Sequence, residues 1–513
     1  MPASKKNRMV QVVLIFAVFA TNVIITLKIP TPPSFPCNPG VAYPGTLPIG
    51  PGQYRNPVTM PAGQDLADPA VIRFGGRYYM TGTGPGHYTG VIRLWSSLDL
   101  VNWTEEGVVY AAPRNPGDWN MFMFWAAEIF AYNGYFYLSY SATPDEVMSH
   151  HRIGIARSAS ITGPYVDMKD EPLFNLNQET IDQHIFEHGG VPYMYYTNHD
   201  ASARGIYVVQ LAPDLNSTVG THVRVLEKTP DESLIEAPWL VFHRGVYHLL
   251  FSANGANTAE YRVGHAIGSS PLGPFTRRGY VLTKNWWSPG PGHCSAVPSL
   301  DDKELFIVYH VKKGWEVSWD REVCIDRLFF TTNGDVYAFG PTRDPQPLPS
   351  GIGGSTGVVP LTNPGFEMVD LSGWDVELTW DGAIYATMIA GPVASWAVPI
   401  DQCVCQGQRM LWFWSLISYS CTVRQFVTGL EENTSFRLVA WGSSSNRFSR
   451  VSVESEGITL ATDIINGNSI KRISLDFLLP AGEKAIMIKI DSPAGTANSW
   501  AWIDAVELYP VLP

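Results

Sequence analysis

The sequence is short of charge. Asp, Glu, Lys and Arg make up 16% of its 513 residues, against roughly 25% in an average soluble protein. What charge it has leans acidic, with 35 Lys and Arg against 47 Asp and Glu, a net of −12. That balance leaves no basic surface for a phosphate backbone and argues against nucleic acid as a partner. Long runs of 3.6-residue apolar periodicity are also missing, so helices are not expected to build the core. Cysteine is scarce. The six residues Cys37, Cys294, Cys324, Cys403, Cys405 and Cys421 show no zinc-site spacing. Their even count agrees with an oxidising compartment. Cys294 could pair with Cys324 within one domain, and two of the last three within another.

What is abundant points the other way. Hydrophobic residues are 45% and aromatics 12%, with 17 Trp, 23 Tyr, 46 Gly and 39 Pro. Such a chain builds real cores, and its length suggests two to four domains. The composition reads as turn-rich β structure facing a neutral polar ligand.

The N-terminus carries Lys5, Lys6 and Arg8 ahead of an apolar run from Met9 to Leu27. This is the pattern of a secretory signal or an uncleaved signal anchor, over residues 1–29. Either places the body of the protein outside the cytosol, with a membrane involved only through that anchor. Residues 30–60 hold nine Pro and read as an extended linker. Sequons at Asn102, Asn216 and Asn433 permit glycosylation without requiring it.

One pattern then recurs: apolar residues, a tight turn, an aromatic-rich strand. Its turns fall at Gly76, Gly134, Gly190, Gly245 and, more weakly, Asp302, spaced by 58, 56, 55 and 57 residues. Turn chemistry and alternation make each copy a β-hairpin. A period near 57 with several strands per copy predicts a β-propeller of five blades over residues 61–350. Residues entering the first strand of each blade lie nearest the axis. Eight or nine positions before the turns stand Asp68, Trp125, Asp182, Glu236 and His293. The bland reading is that Asp68 and Asp182 cap turns. Three carboxylates at equivalent positions in a charge-poor chain favour a shared cavity. Carboxylates crowded together cannot all ionise normally, so one becomes a proton donor and another stays a base. Glycoside hydrolysis needs that division, with an aromatic face such as Trp125 for the sugar. Three carboxylates and His293 could instead hold calcium, although no acidic calcium-loop motif is present.

Ala67-Asp-Pro-Ala-Val71, Trp125-Ala-Ala-Glu-Ile-Phe130, Ile181-Asp182, Ile235-Glu-Ala-Pro238, Gly290-Pro-Gly-His293 and Arg321-Glu-Val-Cys-Ile-Asp-Arg327 occur in the order and spacing of one family. From about Asp65 to Pro345 the chain resembles glycoside hydrolase family 43, five-bladed propellers that remove arabinofuranosyl and xylosyl units from plant-type polysaccharides. The resemblance implies that Asp68 is the general base and Glu236 the general acid, with Asp182 raising the acid's pKa. It implies inversion of configuration, with the two carboxyl groups about 6.5–9.5 Å apart, and no cofactor for catalysis. It further implies that His293 sits at the channel floor and that Arg321 lies near the substrate. Ala127, Ala237 and Cys294 depart from the residues common in the family at those places. None of them removes a catalytic carboxylate, but they leave the substrate open. Glu128 is expected to face a neighbouring strand and Trp103 to pack. Trp286 and Trp287 divide evenly between a subsite wall and packing.

Residues 351–360 read as a Gly-rich flexible linker. Beyond them the repeat stops, and residues 361–513 alternate in short strands as a β-sandwich does. Leu361–Glu367, Gly373-Trp374 and Trp500–Leu508 resemble the ends of jelly-roll carbohydrate-binding modules. That likeness implies a structural calcium held by Glu367 and Asp504. Leu411-Trp-Phe-Trp-Ser415 is read as sandwich core ahead of a sugar platform. The expected class is therefore all-β, a five-bladed propeller followed by a sandwich acting on polysaccharide or oligosaccharide. The competing class is a sugar-binding, lectin-like or adhesive surface protein without activity.

Overall fold

In this computed structural model, the described residues are 49–361, apart from 62–63, 286, 331–333, 344, 354, 356 and 360, together with 374–380, 385–386, 411–414, 419–495 and 500–511. Residues 1–29, read as an export signal or anchor, and Cys37, Cys403, Cys405, Trp286 and Glu367 lie outside them. Among the described residues no helix is long and apolar enough to cross a membrane, and no α-helix occurs.

Five four-stranded antiparallel sheets follow one another along the chain, each built from four consecutive strands. Blade I begins with Ala67–Phe74 and Arg77–Thr83, and blade II with Phe122–Tyr132 and Tyr135–Thr143. Blade III begins with Thr180–His188 and Val191–Asn198, and blade IV with Ile235–His243 and Val246–Ala253. Blade V begins with Gly292–Pro298 and Leu305–Lys312 and continues with Arg321–Phe330. Four of the five first hairpins close through two-residue loops in which both central residues have positive φ: Gly75-Gly76, Asn133-Gly134, Gly189-Gly190 and Arg244-Gly245. That is the type I′ geometry matching strand twist. In blade V Pro298 pairs with Leu305 around a longer loop, which is why its copy of the repeat is weak. Trp103 packs as expected, 5% exposed with Nε1 donating to Leu100 O.

Among the described residues no strand is exchanged between first and last blades. The ring is latched instead by residues 53–60, which the sequence places in the linker. Gln53–Tyr54 pairs with Gln346–Pro347. Val58 N donates to Val323 O of blade V, while Thr59 N donates to Val101 O of blade I. Asn56 brackets Ile325, giving its Nδ2 to the carbonyl at 2.8 Å and accepting from the amide at 2.9 Å. Pro-richness marked the stretch as extended, but extended chain is also what an added edge strand requires.

The Gly-rich linker is likewise pinned rather than free. Glu304 accepts from Ser350 N (2.8 Å) and Val358 N (3.1 Å), and Ser355 Oγ donates to Leu348 O. The same carboxylate pairs with buried Arg327 at 2.7 Å. The possible Cys294–Cys324 disulfide does not form. Both are free, buried thiols, on the first and third strands of blade V. Two strand spacings of about 4.8 Å each exceed the reach of a disulfide. Cys421 is a free thiol as well.

The C-terminal domain is a two-layer sandwich. Ser435–Ser455 and Ile458–Leu478 form one long hairpin that passes through both layers. The first half of Ser435–Ser455 pairs with Trp500–Pro510 and its second half with Ala485–Gly495. Leu411, Val423, Leu438, Val451, Ile473, Ile488 and Leu508 fill the space between. Leu411 thus belongs to the core. Asp504 is fully buried within the sandwich, while the Glu367 expected beside it lies outside the described residues.

Glu304→Ala would leave Arg327, 3% exposed, without its partner and release the linker. A loss of about 3 kcal/mol is expected, read as a lowered denaturant midpoint.

Candidate active site

The cavity is built by one repeated distortion. In each innermost strand the pairing register slips at the axial end. The bulged residues Asp68, Ala126, Asp182, Ala237 and His293 all have φ between 47° and 56°. For L-residues this left-handed conformation costs roughly 1 kcal/mol or more. It turns Asp68, Asp182 and His293 off the strand and towards the axis. Trp125 and Glu236 stand one residue before the bulge, so the five predicted axial residues occupy two adjacent positions rather than one. For Trp125 and Glu236, the extra residue in counting back from the turn was this offset.

In four of the five blades the bulge lifts an amide out of its own ladder, and the preceding blade takes it up. Ala126 N donates to Thr83 Oγ1 (2.9 Å) and His293 N to Ser252 Oγ (2.8 Å). Ala237 N donates to Thr197 Oγ1 and Asp182 Oδ2, both at 3.2 Å. Asp68 N donates to His310 Nδ1 of blade V at 3.1 Å, carrying the pattern across the closure. Gly82 makes the first bulge feasible, since a Cβ there would lie 2.4 Å from Ala67 O.

All six predicted residues, Asp68, Trp125, Asp182, Glu236, His293 and Arg321, line a single cavity of about 590 Å³. Asp68 Oδ1 lies 3.2 Å from His293 Nδ1 and 3.3 Å from Arg321 Nη1. Burial pushes its carboxyl up, but His293 and Arg321 outweigh burial and hold it well below the usual carboxylate range. His310 accepts at Nδ1 and is kept neutral chiefly by burial, helped by the Arg321 cation. Asp68 is therefore an ionised carboxylate, the form a base needs. Arg321 acts on Asp68 directly and is not merely a surface arginine.

Asp182 has the opposite environment. Burial pushes it up to about 7, with the Glu236 and Asp68 carboxylates adding to the rise and His293 opposing it. Glu236, 7% exposed, accepts from Tyr261 Oη at Oε1 (2.7 Å). The Tyr261 ring packs where a side chain on Gly292 would be, within 2.2 Å of a Cβ built there. Trp125 is half-buried in the cavity wall, its ring centre 4.1 Å from that of His151. Glu128 faces the next blade as expected, both oxygens 3.1 Å from His184 Nδ1. Trp287 donates to Pro341 O and packs.

Four groups at the site escaped sequence reading: His310, Tyr261, Glu179 and His199. His310 interrupts the apolar run Leu305–Val311, and a buried polar residue in such a strand was the available signal. Glu179, Tyr261 and His199 lie in connections between strands, where polar residues are ordinary.

The model of Glycosyl hydrolases family 43 matches residues 54–336, more than half of the chain. The chain belongs to glycoside hydrolase family 43. It is 29% identical over 289 residues to the beta-D-galactofuranosidase xynD of Aspergillus niger, covering 53% of this chain and 81% of that one. An extracellular exo-alpha-(1->5)-L-arabinofuranosidase of Streptomyces chartreusis is 26% identical, with 55% and 88% covered. Among solved structures, a thermostable family-43 glycoside hydrolase matches at 34% identity and a TM-score of 0.53, covering 58% of this chain and 99% of its own. All three matches fit the extent of the propeller. The family 43 chain is thus a glycosidase in its propeller, with the sandwich appended.

The Asp182 environment has a measurable consequence. Its folded pKa lies above the ordinary 3.8, so between about pH 4 and about 7 the folded enzyme keeps a proton that the unfolded chain has released. Stability falls as pH rises through that window. Asp182→Asn should melt above wild type at pH 8 and close to it at pH 4. A difference independent of pH would contradict the assignment.

Proposed function

We propose that this family 43 enzyme is an exported, inverting hydrolase of arabinofuranosyl or xylosyl linkages in plant-type polysaccharides or oligosaccharides. The observation that carries the reading is the pairing of two carboxylates in opposite environments within one cavity. Asp68, held ionised by Arg321 and His293, is the base that takes a proton from water as the water attacks the anomeric carbon. Glu236, beside the proton-retaining Asp182, is the acid that gives its proton to the leaving oxygen. No covalent intermediate with the enzyme is involved, so one displacement inverts the configuration. Trp125 offers its ring face to the sugar.

The names of the relatives support furanosides first, galactofuranosyl as well as arabinofuranosyl. Export is supported by the basic and apolar N-terminal sequence and by the extracellular relatives. The sandwich is proposed to bind carbohydrate, from the resemblance of its two ends to such modules.

The deciding measurement is release of nitrophenol from α-L-arabinofuranoside, β-D-xyloside and β-D-galactofuranoside, and of sugar from arabinan. Activity on at least one is expected, with Glu236→Gln lowering kcat about 100-fold or more. The first-formed product should carry the inverted anomer by NMR. A retained anomer would refute the single displacement. Binding without turnover on every substrate would favour the lectin-like class.

A further inference from the structure

Glu236 is flanked on two sides, and only one of them is its own blade. Tyr261 of blade IV donates to Oε1. Oε2 faces Nε2 of His199, from blade III, at 3.2 Å. His199 directly follows the strand Val191–Asn198, and its Nδ1 lies 3.7 Å from Glu179 Oε1. Glu179 directly precedes the innermost strand of the same blade, and His199 N donates to its carbonyl at 3.0 Å. Arg204 fixes the His199 carbonyl through Nε and Nη2. The imidazole therefore lies between two carboxylates that line the cavity, one on each ring nitrogen. Asp182 and His151 are the other titratable groups acting on it, and burial keeps His151 neutral.

With Tyr261 on Oε1, Oε2 is the oxygen left to carry the transferable proton. A cation beside Oε2 stabilises the carboxylate that remains after the proton leaves, and so limits how far up the pH scale the acid keeps it. We propose that His199 is a positioning residue for the acid. It orients Oε2 towards the leaving oxygen and sets the upper edge of the active pH range, while Glu179 holds the imidazole in place. The inference deepens the hydrolase reading and rests on it. The charge state agrees: burial works against the imidazolium, but Glu179 and Glu236 outweigh it and push His199 up to about 10.

The test is the pH dependence of kcat/KM for the whole chain on an aryl glycoside that wild type cleaves. His199→Gln should move the alkaline limb upward by about one unit or more and lower kcat several-fold. His199→Lys, which keeps a cation, should leave the limb near wild type. The His199→Gln deficit should also shrink on phenols acidic enough to leave without a proton. A limb that stays put or moves down, or a loss equal on every leaving group, would overturn the proposal. Should His199→Gln fail to fold, Glu179→Gln carries the same leaving-group comparison, and an equal loss throughout overturns it. Wild type inactive on every glycoside would instead sink the hydrolase reading itself.

Discussion

The gathering of Asp68, Asp182 and His293 at the axis depends on the left-handed bulge at the axial end of each innermost strand. A regular ladder would alternate side chains between the two faces of each blade, where they pack against neighbouring blades. The bulge breaks that alternation and turns Asp68, Asp182 and His293 into the channel. It is strained, and it frees an amide that cannot stay unpaired in a dry interior. In four of the five blades the freed amide is met by the preceding blade, whose second strand supplies Thr83, Thr197, Ser252 or His310 as acceptor. The distortion is stable only within a closed ring. The latch at residues 53–60 is thus linked to the chemistry, although it lies away from the cavity.

The scarcity of charge gains its meaning in this setting. Surface charges are screened and interact weakly, but those at the axis are buried together and set one another's protonation. Arg321 and His293, drawn to Asp68, keep it ionised. Two carboxylates near Asp182 add to burial in the other direction, and His293 and His199 oppose them. One cavity can therefore hold a base and an acid at the same pH. Geometry makes the division, because Asp, Asp and Glu differ little in intrinsic acidity.

How much of this was legible depended on the range of the interaction. The blade hairpins are local: Gly-Gly, Asn-Gly and Arg-Gly at the turns favour one backbone shape, and counting them revealed the ring. The three carboxylates followed from the same count. The weak fifth copy was a true difference, a longer loop in blade V. Composition reports flexibility in isolation, whereas Tyr54, Asn56 and Ser355, in the described parts of the two linkers, are buried by partners hundreds of residues away or across a turn. The disulfide was misread because residue number does not reveal that a strand lies between Cys294 and Cys324.

The sequence by itself determined the five-fold repeat, the all-β class and the acidic residues nearest the axis, because turn preference and apolar alternation act over a few residues. Only the tertiary structure decided which carboxylate is ionised, that Glu236 and Trp125 stand one place before the bulge, and that His199, Tyr261 and His310 complete the site. Those outcomes depend on which blade meets which, and on burial that exists only once the ring has closed.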